Sequence, residues 1–582
     1  MAMLRSSTFT GQEAALRTRS QFAADALVLA AVAVLFWLLI RLSHGFTAPF
    51  NPASAPSSVS TDPANLPYYA ARSLLRMFVA LIVSTIFTFI YATAAARLRR
   101  TEKILVPLLD ILQSVPVLGF LSVTLSVWLM LFPHSELGVE CASVFAIFTS
   151  QVWNMTFAFY QSLVTQPRDL DEAARLLRLT KWQRFWRVDV PYGMLPLVWN
   201  GMMSFGGGWF FLIASEVISV NNQVYALPGI GSYVAAASQQ EQIGRMLLAI
   251  AVMIVMVIGV NFLFWRPLTA WAERFRTGDT ANAEQQRSLV LNLLRRSTLP
   301  RMAGRLLRPV GAGLDRTMRV FGLADRPLRW NQGRRRLGDI VFVVVVTLLI
   351  GWGLLQMLGY VNEQTGLGQF GVAAGLGLIT FARVVVLLIV GTLVWVPIGV
   401  WIGLNPRVTR FAQPIVQVLA SFPANFLFPF MTLALIRTGI SLDIGGVLLM
   451  ALGAQWYILF NVIAGASAIP NDLREAAAIL RLSRLQTWRT LYAPAVFASW
   501  VTGGITAAGG AWNASIVAEI VSYGNTTLVA HGLGSYIAEA TADGDFARTL
   551  VGVTVMSVFV VGLNRLFWRR LYDFAERRLS LT

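Results

Sequence analysis

The sequence predicts an all-α integral membrane protein with about 12 transmembrane helices, arranged as two parallel six-helix repeats. Two observations predict this fold class: apolar runs recur along the whole chain, and the second half repeats residues of the first in a constant register. The chain has 582 residues, of which 56% are hydrophobic and 13% are charged, and its mean hydropathy is +0.62. Soluble domains carry about twice this share of charged residues. A polytopic membrane protein is therefore expected.

Twelve apolar runs of about 18–25 residues are long enough to cross a bilayer as helices. The first run is long for the core of a signal peptide and lacks a clear A-x-A cleavage site, so we count it as a span. The predicted spans are 22–42, 72–96, 105–131, 138–163, 196–220 and 246–265 in the first half, and 338–358, 377–403, 412–436, 441–467, 497–521 and 547–567 in the second. The chain thus divides into a tail (1–21), a first repeat (22–267), a linker (268–337) and a second repeat (338–582).

The distribution of basic residues predicts the orientation. If the N-terminus is cytoplasmic, the basic loops 97–103, 168–187, 407–410 and 474–489 and the C-terminal segment 569–578 all lie on the cytoplasmic side, as the positive-inside rule requires. The linker, with 15 Arg against five acidic residues, lies there too. Its segment 288–321 fits an amphipathic helix on the inner leaflet and a solvated tether equally well. Both termini are expected in the cytoplasm of a bacterial cell.

The charge and the few reactive side chains exclude several functions. The net charge of +18 comes mostly from Arg and follows from membrane topology, so nucleic acid is not the expected partner. The single cysteine, Cys141, excludes intrachain disulfides and cysteine-based metal clusters. The three histidines, His44, His134 and His531, lie far apart and show no metal-ligand spacing. No metal site is expected.

The two halves share a register over about 120 residues. An offset of 303 residues relates Trp153 to Trp456, Trp209 to Trp512 and Glu216 to Glu519, among others. Upstream the offset is 307, and it relates Arg76 to Arg383 and Pro116 to Pro423. The first repeat therefore carries four extra residues, which we place in the loop 132–140. Because six spans are an even number, the two repeats are parallel, and a pathway is expected between them.

A short polar motif occurs in both halves between apolar spans. Pro167-Arg-Asp-Leu-Asp-Glu-Ala-Ala174 recurs as Pro470-Asn-Asp-Leu-Arg-Glu-Ala-Ala477. The acidic residue before each Leu, Asp169 or Asp472, has Glu172 or Glu475 three residues later, which is the spacing of a capping box. Ala173 and Ala174, or Ala476 and Ala477, then favour a helix. Each loop is predicted to form a short helix with a surface of small residues, suited to a groove in another protein.

These loops resemble the EAA loops of the permeases of binding-protein-dependent ABC importers. The resemblance covers both halves and is greatest to the nitrate/sulfonate/taurine branch, particularly its duplicated anion permeases. It implies that each loop is a coupling helix that docks into a cleft of an ATPase subunit. The family usually has Gly six residues after the Glu, whereas this chain has Arg178 and Arg481 there. The geometry of the turn after each helix is therefore open.

The resemblance implies partners that supply the chemistry. The sequence has no G-x-x-x-x-G-K-[ST] motif, and neither of its two lysines, Lys103 and Lys181, lies in a glycine-rich loop. The chain is therefore not expected to be an enzyme or to bind a cofactor. ATP and Mg²⁺ are expected on two copies of a separate ATPase subunit, one for each coupling helix. A periplasmic or extracellular binding protein would deliver the solute.

Polar and aromatic residues within the spans are candidates for the pathway. Intramembrane acids are functional candidates, but Glu216 and Glu519 could equally pair with Arg76 and Arg383 and stabilise the fold. For the tryptophan and glycine positions, helix packing is the more common role. The candidates are Ser114, Gln151, Trp153, Asn154, Trp209 and Glu216 in the first half, and Ser421, Gln455, Trp456, Trp512, Asn513 and Glu519 in the second.

The sequence thus predicts the permease of an ATP-driven importer for a small solute, and the resemblance implies that the solute is an anion. An ion-coupled secondary transporter of 12 helices shares the parallel plan but does not require twin coupling loops. A membrane scaffold or signalling module that uses the linker as its effector is the third class of function considered.

Overall fold

A computed structural model describes residues 9–46, 56–97, 99–177, 179–220, 223–275, 289–299 and 332–578, and positions 302, 309, 313, 316 and 317. The described chain is helical apart from two short antiparallel hairpins and the turns and loops that connect the elements. The first half contains the helices Phe9–Phe46, Leu66–Arg97, Arg99–Ser114, Leu121–Leu131, Leu137–Val164, Arg168–Leu176, Lys181–Arg184, Val190–Ser215, Ile230–Gln239, Ile243–Val260 and Arg266–Ala272. The linker helix Leu289–Arg296 follows.

The second half repeats this order of elements. Its helices are Gln332–Gln364, Gly368–Gly403, Pro406–Ser421, Phe428–Thr438, Leu442–Ser467, Asn471–Ile479, Arg484–Thr487, Ala493–Ala518, Leu533–Ala542, Phe546–Leu563 and Arg569–Arg578. Strands β1 (Val217–Val220) and β2 (Gln223–Ala226) pair in the first half, and β3 (Ile520–Tyr523) and β4 (Thr526–Val529) pair in the second. The all-α fold and the internal duplication are therefore confirmed.

The number of uninterrupted spans is smaller than the number of apolar runs. Among the described residues, nine helices are long and apolar enough to cross a membrane, or ten if one bent pair counts as a single span. The helix Leu137–Val164, which covers the predicted span 138–163, is not one of the nine. The predicted span 105–131 is divided between Arg99–Ser114 and Leu121–Leu131, with a 3-10 turn between them.

Proline explains why the predicted spans 105–131 and 412–436 are broken. Pro116 and Pro423 have extended backbones, with ψ angles of 114° and 111°. A proline removes one helical hydrogen bond, and its ring restricts the residue before it to extended conformations. In the second half the two helical pieces are bent by 81°. The break in each half places polar residues and free backbone groups beside the space between the halves.

Each half packs its helices around a buried tryptophan. Trp209 and Trp512, which the 303-residue offset relates, are both almost completely buried. Two further equivalent tryptophans, Trp265 and Trp568, pack their rings against glycines of the neighbouring helix, where a Cβ atom at Gly201 would lie 3.4 Å from the Trp265 ring. Small residues let membrane helices approach closely. The duplication thus preserves the packing inside each half.

Candidate functional site

The repeated polar motif forms a short helix in each half, as predicted. We call Arg168–Leu176 the first loop helix and Asn471–Ile479 the second loop helix. In each, one alanine (Ala174 or Ala477) is buried against the protein, while the preceding Glu-Ala pair is exposed: Glu172 and Ala173 in the first loop helix, Glu475 and Ala476 in the second. Both helices therefore present the same acidic and small side chains to the surface.

Exposed aliphatic residues end both loop helices. Leu176 and Leu177 are 84% and 72% exposed, and the equivalent Ile479 and Leu480 are 80% and 70% exposed. Four large apolar side chains on two polar loops are typical of a surface that another protein covers. They extend the candidate contact surface beyond the Glu-Ala-Ala residues.

The predicted capping box is wrong in position. The N-caps of the two loop helices are Pro167 and Pro470, without side-chain caps, so Asp169 and Asp472 lie inside the first turn. There their charge favours the positive end of the helix dipole. Complete capping boxes occur one helix later, at Thr180–Gln183 and Ser483–Gln486.

The end of the second loop helix explains what the atypical Arg481 does. Its φ angle is +49°, in the left-handed region. The N–H of Leu482 donates to the carbonyl of Ala477 at 3.2 Å, and the N–H of Arg481 donates to that of Ala478 at 3.0 Å. These two bonds form a Schellman motif, in which the left-handed position is usually Gly. Arg481 therefore keeps the turn that glycine would make; Arg178 lies outside the described residues.

Replacing Arg481 with Gly should relieve this backbone strain. A side chain in the left-handed conformation costs roughly 1 kcal/mol relative to glycine. We expect Arg481→Gly to raise the free energy of unfolding by up to about 1 kcal/mol, because the entropy that glycine adds to the unfolded chain offsets part of the gain. Thermal unfolding of the purified protein measures the change. Arg481→Ala, which retains a Cβ atom, is the control and should not stabilise; equal stabilisation by both would contradict this explanation.

Salt bridges hold the first loop helix but not the second. Asp171 pairs with Arg175 at 2.8 Å and also with Arg184. Asp189, after the loop, is 2.5 Å from Arg97 of a neighbouring helix. The second loop has Arg474 at the position of Asp171, and the described residues show no ion pair around it. The two loops are therefore alike on the surface and different in how they are anchored.

A cavity of about 440 Å³ lies between the halves, beside the two proline breaks. Three of the predicted pathway residues, Trp153, Asn154 and Asn513, line it. Its other polar lining residues were not predicted: Gln113, Thr149, Ser150, Asn200, Ser204, Tyr457, Asn461, Thr502 and Thr506. None of the described lining residues is charged. The cavity is a neutral, partly aromatic chamber that both halves build.

The other predicted pathway residues lie elsewhere. Trp209 and Ser421 line a separate void of about 20 Å³. Gln455 accepts a hydrogen bond from the Trp395 indole at 3.1 Å, and Trp456 packs against the same ring. Gln151 and Trp512 are buried in the helix packing. The side chain of Ser114 lies outside the described residues.

Glu216 and Glu519 are buried in equivalent clusters. Arg76 is 2.7 Å from Glu216 and 2.6 Å from Glu140. In the second half, Arg383 is 2.8 Å from Glu519 and 2.7 Å from Asp443. The equivalence of Glu140 to Asp443, at the 303-residue offset, was available in the sequence and was missed.

The same two glutamates hold the helix that follows each hairpin. Glu216 accepts from the N–H of Gly231 at 2.6 Å, and Glu519 accepts from the N–H of Gly534 at 2.7 Å. Ser73 and Thr380 complete the clusters with one hydrogen bond to each carboxylate. Each glutamate therefore joins three elements of its half, and neither lines the cavity.

The clusters differ in their outer charges. The first includes Arg72, which is 2.5 Å from Glu140 and 3.6 Å from Glu136. Burial raises the pKa of the Glu136 carboxyl, and the charge of Arg72 acts in the opposite direction. In the second cluster, Asp443 accepts from the backbone N–H of the exposed His531 at 2.8 Å. The outer partner in the first cluster is thus a further charged side chain, Arg72, whereas in the second cluster it is the backbone of a surface loop at His531.

Comparison with known proteins agrees with the duplicated architecture. The family described as "Binding-protein-dependent transport system inner membrane component" matches residues 71–271 and 395–581. The chain is 28% identical over 228 residues to the nitrate import permease protein NrtB of Leptolyngbya laminosa, which covers 39% of this chain and 75% of that protein. It is 26% identical over 182 residues to the taurine transport system permease protein TauC of Escherichia coli, covering 31% and 62%.

A third relative matches over a shorter segment. The bicarbonate transport system permease protein CmpB of Synechococcus elongatus is 28% identical over 135 residues, which covers 23% of this chain and 45% of that protein.

Proposed function

The chain belongs to the family of binding-protein-dependent transport system inner membrane components, and from this we infer that it is the fused permease of an ABC importer for a small anion. An external binding protein supplies the solute. The solute crosses the membrane through the cavity between the halves, and ATP hydrolysis on two separate ATPase subunits drives this transport. Both chain termini and both loop helices face the cytoplasm, where the basic loops lie.

One observation carries this proposal: the two loop helices expose the same Glu-Ala surface and aliphatic end at equivalent positions of the two halves. Two equal docking surfaces suit two copies of one partner. A secondary transporter does not require such surfaces. In this proposal ATP and Mg²⁺ bind to the ATPase subunits, since the sequence of this chain has no G-x-x-x-x-G-K-[ST] phosphate loop.

The solute class follows from the relatives. The permeases to which the chain is similar are named for nitrate, bicarbonate and taurine. Nitrate and bicarbonate are anions, and taurine carries an anionic sulfonate. The neutral hydrogen-bonding groups of the cavity are compatible with such a group.

Uptake by the reconstituted importer tests the proposal. The chain is purified with its ATPase subunits, placed in proteoliposomes, and supplied outside with its binding protein and labelled nitrate, bicarbonate or taurine. We expect ATP and Mg²⁺ enclosed in the vesicles to drive uptake of at least one of these solutes. A non-hydrolysable ATP analogue should give none. Uptake that needs no ATP and stops when ionophores collapse the ion gradients would show a secondary transporter instead.

A further inference from the structure

The two walls of the central cavity are chemically unlike, although the two halves are duplicates. Asn154 of the first half is equivalent to Tyr457 of the second, and both line the cavity. Asn200 lines it too, but the residue equivalent to it is Gly503. A site on the pseudo-twofold axis would present equal groups to the solute from both sides. In this cavity the first half contributes Asn154 and Asn200, whereas the second half contributes the phenol of Tyr457 beside Asn461 and Asn513.

Tyr457 extends from its own helix across the cavity to the first half. A Cβ atom at Gly207, in the helix Val190–Ser215, would lie 3.3 Å from the Tyr457 hydroxyl, and one at Gly510 would lie 3.6 Å from its ring. The two glycines are equivalent positions of the two halves, and together they make room for the ring. Among the described residues, none forms a hydrogen bond with this hydroxyl, so its O–H is available to a solute.

The opposite wall offers further unused hydrogen-bonding groups. The Gln113 amide donates to the side-chain carbonyl oxygen of Asn154 at 3.1 Å. This bond uses the oxygen of Asn154 and not the N–H groups of its amide. Asn200 uses only one of its two N–H groups, on the carbonyl of Pro196. The Ser204 hydroxyl is buried and has no hydrogen-bond partner in the described part of the chain. A buried polar group without a partner costs about 1–3 kcal/mol, so a solute that accepts from it is favoured.

The described residues that line the cavity are uncharged, and this limits the charge of the solute that the cavity is able to hold. The cost of removing an ion from water rises steeply with its charge, and buried charges normally need an opposite charge or several hydrogen bonds. Neutral N–H and O–H donors are able to hold one negative charge. No lysine, arginine or histidine is among the described lining residues to compensate a second one.

We propose that the cavity is a single asymmetric site for a monovalent oxyanion or sulfonate, held between the Tyr457 hydroxyl and the amides of Asn154 and Asn200, and that it rejects dianions. The inference rests on the proposed function, since it concerns the solute of the same pathway. Tyr457 is its specificity-determining residue. The two halves then contribute unequally to binding although they contribute equally to ATPase docking.

Binding to the permease–ATPase complex in nanodiscs, without the binding protein, tests this site directly. The probes are labelled nitrate and ethanesulfonate as monoanions and sulfate as a dianion, measured by equilibrium dialysis. We expect at least one monoanion to bind at least tenfold more tightly than sulfate. Tyr457→Phe and Asn154→Leu should each weaken its binding about five- to tenfold, since each removes one hydrogen bond to a charged group. Tyr572→Phe, on an exposed helix outside the cavity, is the matched control and should change nothing.

Several results would overturn the inference. They are sulfate binding as tightly as the monoanions, unchanged affinity in both cavity variants, or no binding of any probe by a complex that still hydrolyses ATP. Failure of the proposed function is separately visible, because it appears as ATP-independent uptake in the proteoliposomes whatever the dialysis shows.

Discussion

Reversing the charge of both loop-helix glutamates, Glu172→Arg together with Glu475→Arg, should abolish ATP-driven uptake and remove the ATPase subunits from the purified permease. Both side chains are exposed, so their replacement reverses the charge that each docking surface presents to its partner. An unfavourable charge at an interface costs several kcal/mol, and a loss of about 4 kcal/mol weakens binding roughly 1,000-fold. Co-purification and uptake measure the two effects.

The permease itself should remain folded in this double variant. Surface substitutions of this kind usually change the free energy of unfolding by less than about 0.5 kcal/mol. Glu539→Arg is the matched control, because Glu539 is also exposed but lies on the helix Leu533–Ala542 at the opposite end of the half. It should retain the ATPase subunits. Retention of an active ATPase by the double variant would mean that the loop helices are not the coupling elements.

Truncating the buried glutamate of the first cluster, Glu216→Ala, should destabilise the protein by about 3–5 kcal/mol. The substitution leaves Arg76 buried with one fewer acidic partner and removes the acceptor of the Gly231 N–H. Glu519→Ala should act in the same way through Arg383 and Gly534. Thermal unfolding and the yield of folded protein measure the loss.

The same variants decide between the two roles considered for these acids. Glu216→Gln keeps the size of the side chain and some hydrogen bonds, so its destabilisation should be smaller than that of Glu216→Ala. Glu172→Ala, at an exposed position, is the control and should be close to neutral. If Glu216→Ala folded with normal stability and failed only in transport, the acid would belong to the pathway rather than to the fold.

Much of the fold was predictable because the duplication doubles each signal. A single Glu-Ala-Ala motif would have predicted no more than an ordinary capped helix. Two copies in the same register show that the motif marks equivalent points of two duplicated halves. The prolines that precede these helices misled the prediction of their caps. Because a proline occupies each N-cap position, the acidic residues lie two positions further on, within the first turn, and the true capping boxes follow at Thr180 and Ser483.

The breaks at Pro116 and Pro423 were only partly predictable. The apolar composition of the segments around these prolines indicates continuous spans. Only the three-dimensional structure shows that the pair of helices in the second half bends by 81°. A hydropathy pattern records how much of a segment avoids water but not whether it is straight.

The cavity was the least predictable feature, because the comparison of the two halves that predicts the fold reveals only the residues that both halves share. Comparing the two halves finds the residues that they share, such as Glu216 and Glu519, and these stabilise each half. The polar residues that line the cavity are ones at which the halves differ, including Asn154, whose equivalent is Tyr457, and Asn200, whose equivalent is a glycine. These residues come together only because the two halves pack against each other, and aligning one half of the sequence with the other does not reveal that packing.

The contact between the loop helices and an ATPase is tested most directly by site-specific photo-crosslinking. The chain has one cysteine, so Cys141→Ser gives a background in which Ala173→Cys or Ala476→Cys carries a benzophenone label alone. Both alanines are exposed in the free permease. We predict that irradiation of the assembled importer joins each labelled position to an ATPase subunit, and that the same label at Glu539→Cys gives no such product. An importer that contains its ATPase subunits but yields no adduct from position 173 or 476 would contradict the account.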